Sequence, residues 1–216
     1  MILLVAATEI EAGPLVGKLA SQPHELFICG VGPLEAAVRL TRRLAAGDAA
    51  GRISLVLNFG VAGAYPGSGA GMLDLCLAEQ EVLGDFGISE AEGYVPLPGS
   101  LTARPVFPLA SPYLDQAKEI FAAAGLGSRR GVFVTVNAAS GTARRGSLLE
   151  KAHAGLCENM EGAAVARVCA EFSLPFLEVR AISNMVEDRE PGRWQLAPAI
   201  ARCGQAISLL LDRLVV

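Results

Sequence analysis

Ile53-Ser54-Leu55-Val56-Leu57-Asn58-Phe59 is a largely apolar run that ends directly in Gly60-Val61-Ala62-Gly63. An apolar segment of this length, closed by glycines, reads as a buried strand followed by a tight turn. The same pairing occurs upstream. Ile2 to Ala7 is a continuous apolar run, and Glu25 to Cys29 gives a second short strand closed by Gly30-Val31-Gly32. Leu34 to Ala46 has helical spacing, with Leu34, Ala37, Val38, Leu40, Thr41 and Leu44 on one face. Strand, turn, helix, strand, turn is the rhythm of an α/β fold. The expectation is a single domain over residues 1–216, with three α/β/α layers around a central mixed, largely parallel twisted sheet.

Downstream, Met72 to Leu83 is strand-like, and the Gly/Pro-rich stretch Gly84 to Pro112 reads as a loop with short extended pieces. Helices are expected at Tyr113–Ala124, Glu161–Phe172 and Trp194–Leu214, and strands at Gly131–Val136 and Pro175–Ile182. No repeat, low-complexity tract or linker interrupts the pattern.

Composition excludes several classes. Hydrophobic residues make up 52% of the chain and charged ones 19%, so a large core is expected. A net charge of −4 with interspersed signs lacks the basic stripe that nucleic acid requires. No apolar run approaches a membrane span, and the N-terminus has no basic leader, so a soluble, cytoplasmic protein is expected. The cysteines Cys29, Cys76, Cys157, Cys169 and Cys203 are odd in number and form no CxxC pair, while histidine occurs only at His24 and His153. Neither a disulfide framework nor a metal site is expected, and no cofactor is implied.

Ligands of α/β sheets bind beyond the carboxyl ends of strands. Polar or glycine-rich segments occupy such ends at Thr8-Glu9-Ile10-Glu11, Gly30-Val31-Gly32, Gly60-Val61-Ala62-Gly63 and Ser183-Asn184. Asn159-Met160-Glu161-Gly162 stands just before a helix. Taken singly, these segments are helix caps and tight turns, and Glu161 alone reads as a carboxylate favoured by the helix dipole.

Together, their identities and spacing resemble the purine nucleoside phosphorylase and nucleosidase superfamily, particularly its methylthioadenosine/adenosylhomocysteine nucleosidase branch. The resemblance runs from Ala6-Ala7-Thr8-Glu9-Ile10-Glu11 through Asn159-Met160-Glu161-Gly162-Ala163-Ala164-Val165-Ala166 to Val179-Arg180-Ala181-Ile182-Ser183-Asn184. It implies a nucleoside phosphorylase-like fold and cleavage of an N-glycosidic bond through an oxocarbenium-like transition state. By that resemblance Glu11 matches the water-activating carboxylate, and a partly buried Glu suits the task. Glu161 matches the carboxylate that accepts from the ribose hydroxyls and favours positive charge at the anomeric carbon, and Met160 packs under the sugar. Gly32, Val61, Ala62, Gly63, Val136, Asn159 and Ser183 are the implied substrate-binding positions, with a nucleoside as the partner and a homo-oligomer (a dimer or larger) as the assembly.

Two departures narrow the reading. Where relatives carry aspartate after Ile-Ser, this chain has Asn184. An amide accepts from an N7–H while donating to an O6 carbonyl, which suits a 6-oxopurine rather than adenine. Hypoxanthine as leaving group, with Thr135-Val136, Ser140-Gly141-Thr142 and Val186-Glu187-Asp188-Arg189, resembles the futalosine hydrolase branch of menaquinone synthesis. Second, Val61 offers no hydroxyl for phosphate, and Glu11 would repel the dianion. The benzoate end of futalosine calls for a cation, with Arg189, Arg144, Arg145 and Arg104 as candidates, and Trp194 is a candidate pocket aromatic. Ala139 and Ser140 stand where relatives stack an aromatic on the base. An adenine-releasing nucleosidase and a catalytically silent nucleoside-binding protein remain the competing readings.

Overall fold

The computed structural model describes residues 1–17, 23–47, 50–91, 93–95, 97–98 and 105–216. In chain order the strands are β1 (Ile2–Ala6), β2 (His24–Ile28), β3 (Leu55–Ala64), β4 (Leu75–Leu83), β5 (Ile88–Glu90), β6 (Gly93–Val95), β7 (Val106–Pro108), β8 (Ser128–Thr135), β9 (Gly155–Asn159) and β10 (Phe176–Met185). The helices are α1 (Glu9–Ala12), α2 (Pro33–Leu44), α3 (Pro112–Ala123), α4 (Ala143–His153), α5 (Gly162–Glu171) and α6 (Leu196–Arg213).

Eight strands form one mixed sheet. β2, β1, β3 and β10 run parallel in that order. β10 then pairs antiparallel with β4, β4 parallel with β8, and β8 parallel with β9. β9 returns antiparallel to the end of β3 through Gly63↔Glu158 and Ala64↔Cys157. Five of the strands therefore close on themselves, so the mixed central sheet, as expected in kind, is half-rolled into a barrel. β5 and β6 form a separate hairpin within the segment expected as loop.

Strand alternation explains the layers. On β1, Leu3 and Val5 face a core shared with Ala36, Leu40 and Leu44 of α2 and with the apolar side of α5. Ile2, Leu4 and Ala6 face the opposite core, filled by α6 and by Leu114, Ala117 and Phe121 of α3. The buried stripe of α2 thus keeps Leu40 and Leu44 of the expected face but takes Ala36 rather than Leu34 and Val38, which are 78% and 57% exposed. All five cysteines are buried and unbridged. Burial pushes the Cys29 and Cys203 thiols up to about 12, which disqualifies them as nucleophiles.

Two strands run further than their sequence implies. Gly60-Val61-Ala62-Gly63 is not a turn but the second half of β3, and Ser183-Asn184 belongs to β10. The glycines of β3 admit side chains of neighbouring elements rather than bend the chain. A bulge between Ile182 and Asn184 shifts the register of β10 on β3, which re-aims Asn184.

Candidate active site

Glu11 enters from α1. Thr8 caps that helix by accepting from the Glu11 N–H at 3.2 Å, and its hydroxyl donates to Glu11 Oε2 at 2.9 Å. Glu11 Oε1 accepts from the Val61 N–H at 3.1 Å. Val61 is therefore used through its backbone, and its side chain leaves the strand apolar beside the carboxylate. Gly60 makes this approach possible, because a Cβ there would lie 2.3 Å from Glu11 Oε1.

Glu161 occupies the N-cap position of α5, yet its side chain caps nothing on that helix. Its Oε1 accepts from the Gly32 N–H at 3.0 Å, and its Oε2 lies 3.7 Å from Arg180 Nη2. Gly32 thus acts by holding Glu161 from the start of α2, rather than by lining the cavity. Burial raises the Glu161 carboxyl above its ordinary value, while Arg180 and the Gly32 N–H oppose that rise.

Asn159 caps the helix in place of Glu161. Its Oδ1 accepts from the N–H groups of Glu161 and Gly162 at 2.9 and 2.7 Å, and its Nδ2 donates to Glu81 at 2.6 Å. Asn159, expected as a substrate contact, lines the cavity that Glu11 and Glu161 face, and its side chain also sets the pose of Glu161. Thr135 completes the arrangement by accepting from the Ala163 N–H and bonding Glu81.

Below the site lies a buried charge cluster that the sequence did not disclose. Arg180 is 1% exposed; its Nε donates to Glu178 Oε1 at 2.9 Å, and Asn58 Nδ2 donates to the same oxygen at 3.0 Å. Desolvation works against the charge on Arg180, but Glu178, Glu161 and Glu11 outweigh it and hold the guanidinium protonated. Glu81 is fully buried, and burial with the neighbouring Glu178 pushes its carboxyl well up. The arginine is the one cation described here among four carboxylates, so the charge on the Glu161 side depends on it.

These groups face a cavity of about 320 Å³, lined by Glu11, Glu161, Asn184 and Ser183 together with Val61, Ala62, Gly63, Val136 and Met160. Asn184 Oδ1 accepts from the Ser183 hydroxyl at 2.9 Å, and its Nδ2 donates to the Met185 carbonyl at 3.2 Å. Each amide atom keeps one further bond to offer. A second cavity of about 360 Å³ shares Ser140, Asn184, Arg189 and Trp194 with the first. Trp194 precedes α6 instead of opening it, and the Arg189 guanidinium stacks 4.6 Å from its ring centroid. Of the other arginines, Arg145 bonds Asp85 and Tyr94, Arg144 donates to the Ala91 carbonyl, and Arg104 lies outside the described residues. Ser140 and Glu158, which line the first cavity, were not singled out by sequence as a pair; their contact forms only when β9 meets the loop after β8.

With this geometry in view, relatives give the chain its class. A phosphorylase superfamily model matches residues 14–215. A futalosine hydrolase of Streptomyces coelicolor is 34% identical over 193 residues, covering 86% of this chain and 77% of the relative. Another from Thermus thermophilus is 31% identical over 220 residues, covering 98% and 95%. A 5'-methylthioadenosine/S-adenosylhomocysteine nucleosidase of Neisseria meningitidis, solved with methylthio-immucillin-A, has the same fold at a TM-score of 0.84, 19% identity and 99% coverage of both chains. The native futalosine hydrolase of Helicobacter pylori follows at 0.83, 18% identity, and 99% and 97% coverage. The chain belongs to the phosphorylase superfamily. Within it, the chain stands among the N-glycosyl hydrolases rather than the phosphorylases that name the group.

Proposed function

We propose that this protein is a single-domain, cytoplasmic futalosine hydrolase, which cleaves the N-glycosidic bond to release hypoxanthine and dehypoxanthine futalosine in menaquinone biosynthesis. The observation that carries the reading is Asn184, placed by the β10 bulge on the wall of the cavity that also holds Glu11 and Glu161. Its free acceptor meets the N7–H of the departing base and its free N–H meets O6.

Glu11, held by Thr8 and Val61, orients water and takes its proton as the oxygen attacks the anomeric carbon. Glu161 accepts from the ribose hydroxyls and stabilises the cationic sugar, with Met160 beneath it. Arg180 favours the ionised form of Glu161 against the rise that burial brings. N7 takes a proton from solvent as the base departs, and Glu11 returns the proton it took from the attacking water to solvent, so the reaction balances without a metal or cofactor. Arg189, stacked on Trp194 between the two cavities, is the cation placed to receive the carboxylate of the substrate's aromatic tail.

A homo-oligomer is part of the proposal. Ile10, Val31, Leu34 and Val38 are all more than half exposed, and Ile10 and Val31 line the mouth of the cavity. Such apolar exposure is consistent with cover by a second copy. Sedimentation of the wild type beside Leu34→Glu tests this.

The purified protein is incubated with futalosine in phosphate-free buffer, with methylthioadenosine and inosine in parallel. Hypoxanthine from futalosine is expected. Adenine from methylthioadenosine, with futalosine intact, would transfer the chain to the adenine-releasing branch. Binding without turnover of any of the three would make it a silent nucleoside-binding protein.

A further inference from the structure

Glu158 has no place in the mechanism above, yet it is buried in the wall of the reaction cavity. It is 7% exposed. Its Oε1 accepts from the Ser140 N–H at 2.8 Å, and its Oε2 accepts from the Ser140 hydroxyl at 2.7 Å and from the Tyr65 hydroxyl at 3.4 Å. An ionised carboxylate has about four lone-pair sites, so three donors leave one site open, on Oε1.

The sheet sets what that site faces. Gly63 on β3 is paired with Glu158 on β9 and with Asn184 on β10. Residues paired across strands point to one face, so Glu158 and Asn184 flank a position that has no side chain. A Cβ at Gly63 would come within 2.9 Å of both Asn184 Nδ2 and Val186 Cγ2. The row therefore sets an amide on one side of Gly63 and a carboxylate on the other, with Asn184 reaching over the glycine, and both line the cavity.

We infer that Glu158 accepts a hydrogen bond from N1–H of the purine and so sets the preference for a 6-oxopurine over a 6-aminopurine. The inference deepens the nucleosidase reading and rests on it for the orientation of the base. Hypoxanthine presents N7, O6 and N1–H along one edge, and Asn184 with Glu158 supplies a matching partner for each. Adenine presents a lone pair at N1, which the carboxylate repels. Asn184, held in its pose by Ser183 and Met185, reads only N7 and O6, so N1 is left to Glu158. A carboxylate cannot reverse its role while it is ionised. Ser140 and Arg145 favour that ionised form against the upward push of burial.

The test is binding of the free bases hypoxanthine and adenine by calorimetry in mildly alkaline buffer, to wild type and to Glu158→Gln. The variant is expected to lose about 10- to 100-fold in hypoxanthine affinity while adenine holds or improves, so that the ratio collapses. An unchanged ratio, whether both affinities fall together or neither moves, overturns the inference. Wild type with 1-methylhypoxanthine gives a second reading that needs no folded variant. Its affinity should fall below that of hypoxanthine by a similar factor, and equal affinity overturns the inference. Futalosine turnover is read separately on wild type. Its absence sinks the proposed substrate, whereas the base-binding ratio still decides Glu158.

Discussion

Replacing Gly60 with alanine asks whether the position of Glu11, and not only its presence, carries the rate. The added Cβ would stand 2.3 Å from Glu11 Oε1 and 2.7 Å from Arg180 Nη1. Non-bonded heavy atoms rest at about 3.5 Å, so the carboxylate must retreat by roughly 1 Å. Arg180 cannot give way instead, because Glu178 fixes it from behind. The backbone itself tolerates alanine, since Gly60 is not among the glycines at positive φ. A retreat of that size breaks the 3.1 Å bond from the Val61 N–H and carries the base away from its water. Misplacement of a catalytic group by about 1 Å costs on the order of 100-fold in kcat. KM should change little, because Glu161 and Asn184 are untouched. Steady-state release of hypoxanthine from futalosine gives both constants, and a thermal melt confirms that the variant is folded. A folded variant with kcat within about threefold of wild type would refute the reasoning.

Glu11→Gln and Glu161→Gln should each lower kcat by about two orders of magnitude or more, measured in the same assay; a wild-type rate in either removes its assigned role. Asn184→Asp should slow futalosine cleavage and shift the 6-oxo to 6-amino preference toward the latter, and an unchanged preference would take Asn184 out of base selection. Burial raises the carboxyls of Glu81, Glu158 and Glu161 above the ordinary 4.5. Above that value the unfolded chain gives up these protons first, so stability is fullest below it and falls as pH rises toward the folded values. Urea midpoints across that range should decline with pH in wild type and less steeply in Glu81→Gln. A rising midpoint would contradict the assignment.

Much of the scaffold was legible because β1 and β3 are largely apolar runs buried on both faces, while on β10 Leu177, Val179 and Ala181 alternate with Glu178 and Arg180. β9 was not, because its five buried residues include Glu158 and Asn159, and polar side chains satisfied inside a core look like loop in one dimension. The helix before it, α4, buries only Gly146 and Leu149 and presents charge elsewhere, so it carries little periodic signal. On α2 the predicted face caught the buried Leu40 and Leu44, but it included the exposed Leu34 and Val38 and missed Ala36. In the site, Glu11, Glu161 and Asn184 were readable from their motifs and were found on one cavity. The bonds by which Gly32 and Asn159 hold Glu161 were not readable, because they form only where the start of α2 and the end of β9 meet. Glu158 lay beyond reach because its meaning depends on pairing with Gly63 across β3.

The closure of the sheet carries a consequence for how the enzyme comes into being. β10 is the last strand of the chain, and it pairs with β3 from Phe176↔Val56 to Met185↔Ala64, contacts separated by more than half the sequence. Such distant pairing is slow to form, because a long loop must close before any contact repays it. Arg180, Ser183 and Asn184 all ride on that strand. A chain in which β10 has not docked therefore holds Glu11 and Glu161 without Arg180, which pairs with Glu161, or Asn184, which shares their cavity. In refolding, activity should return no sooner than β10 inserts between β3 and β4.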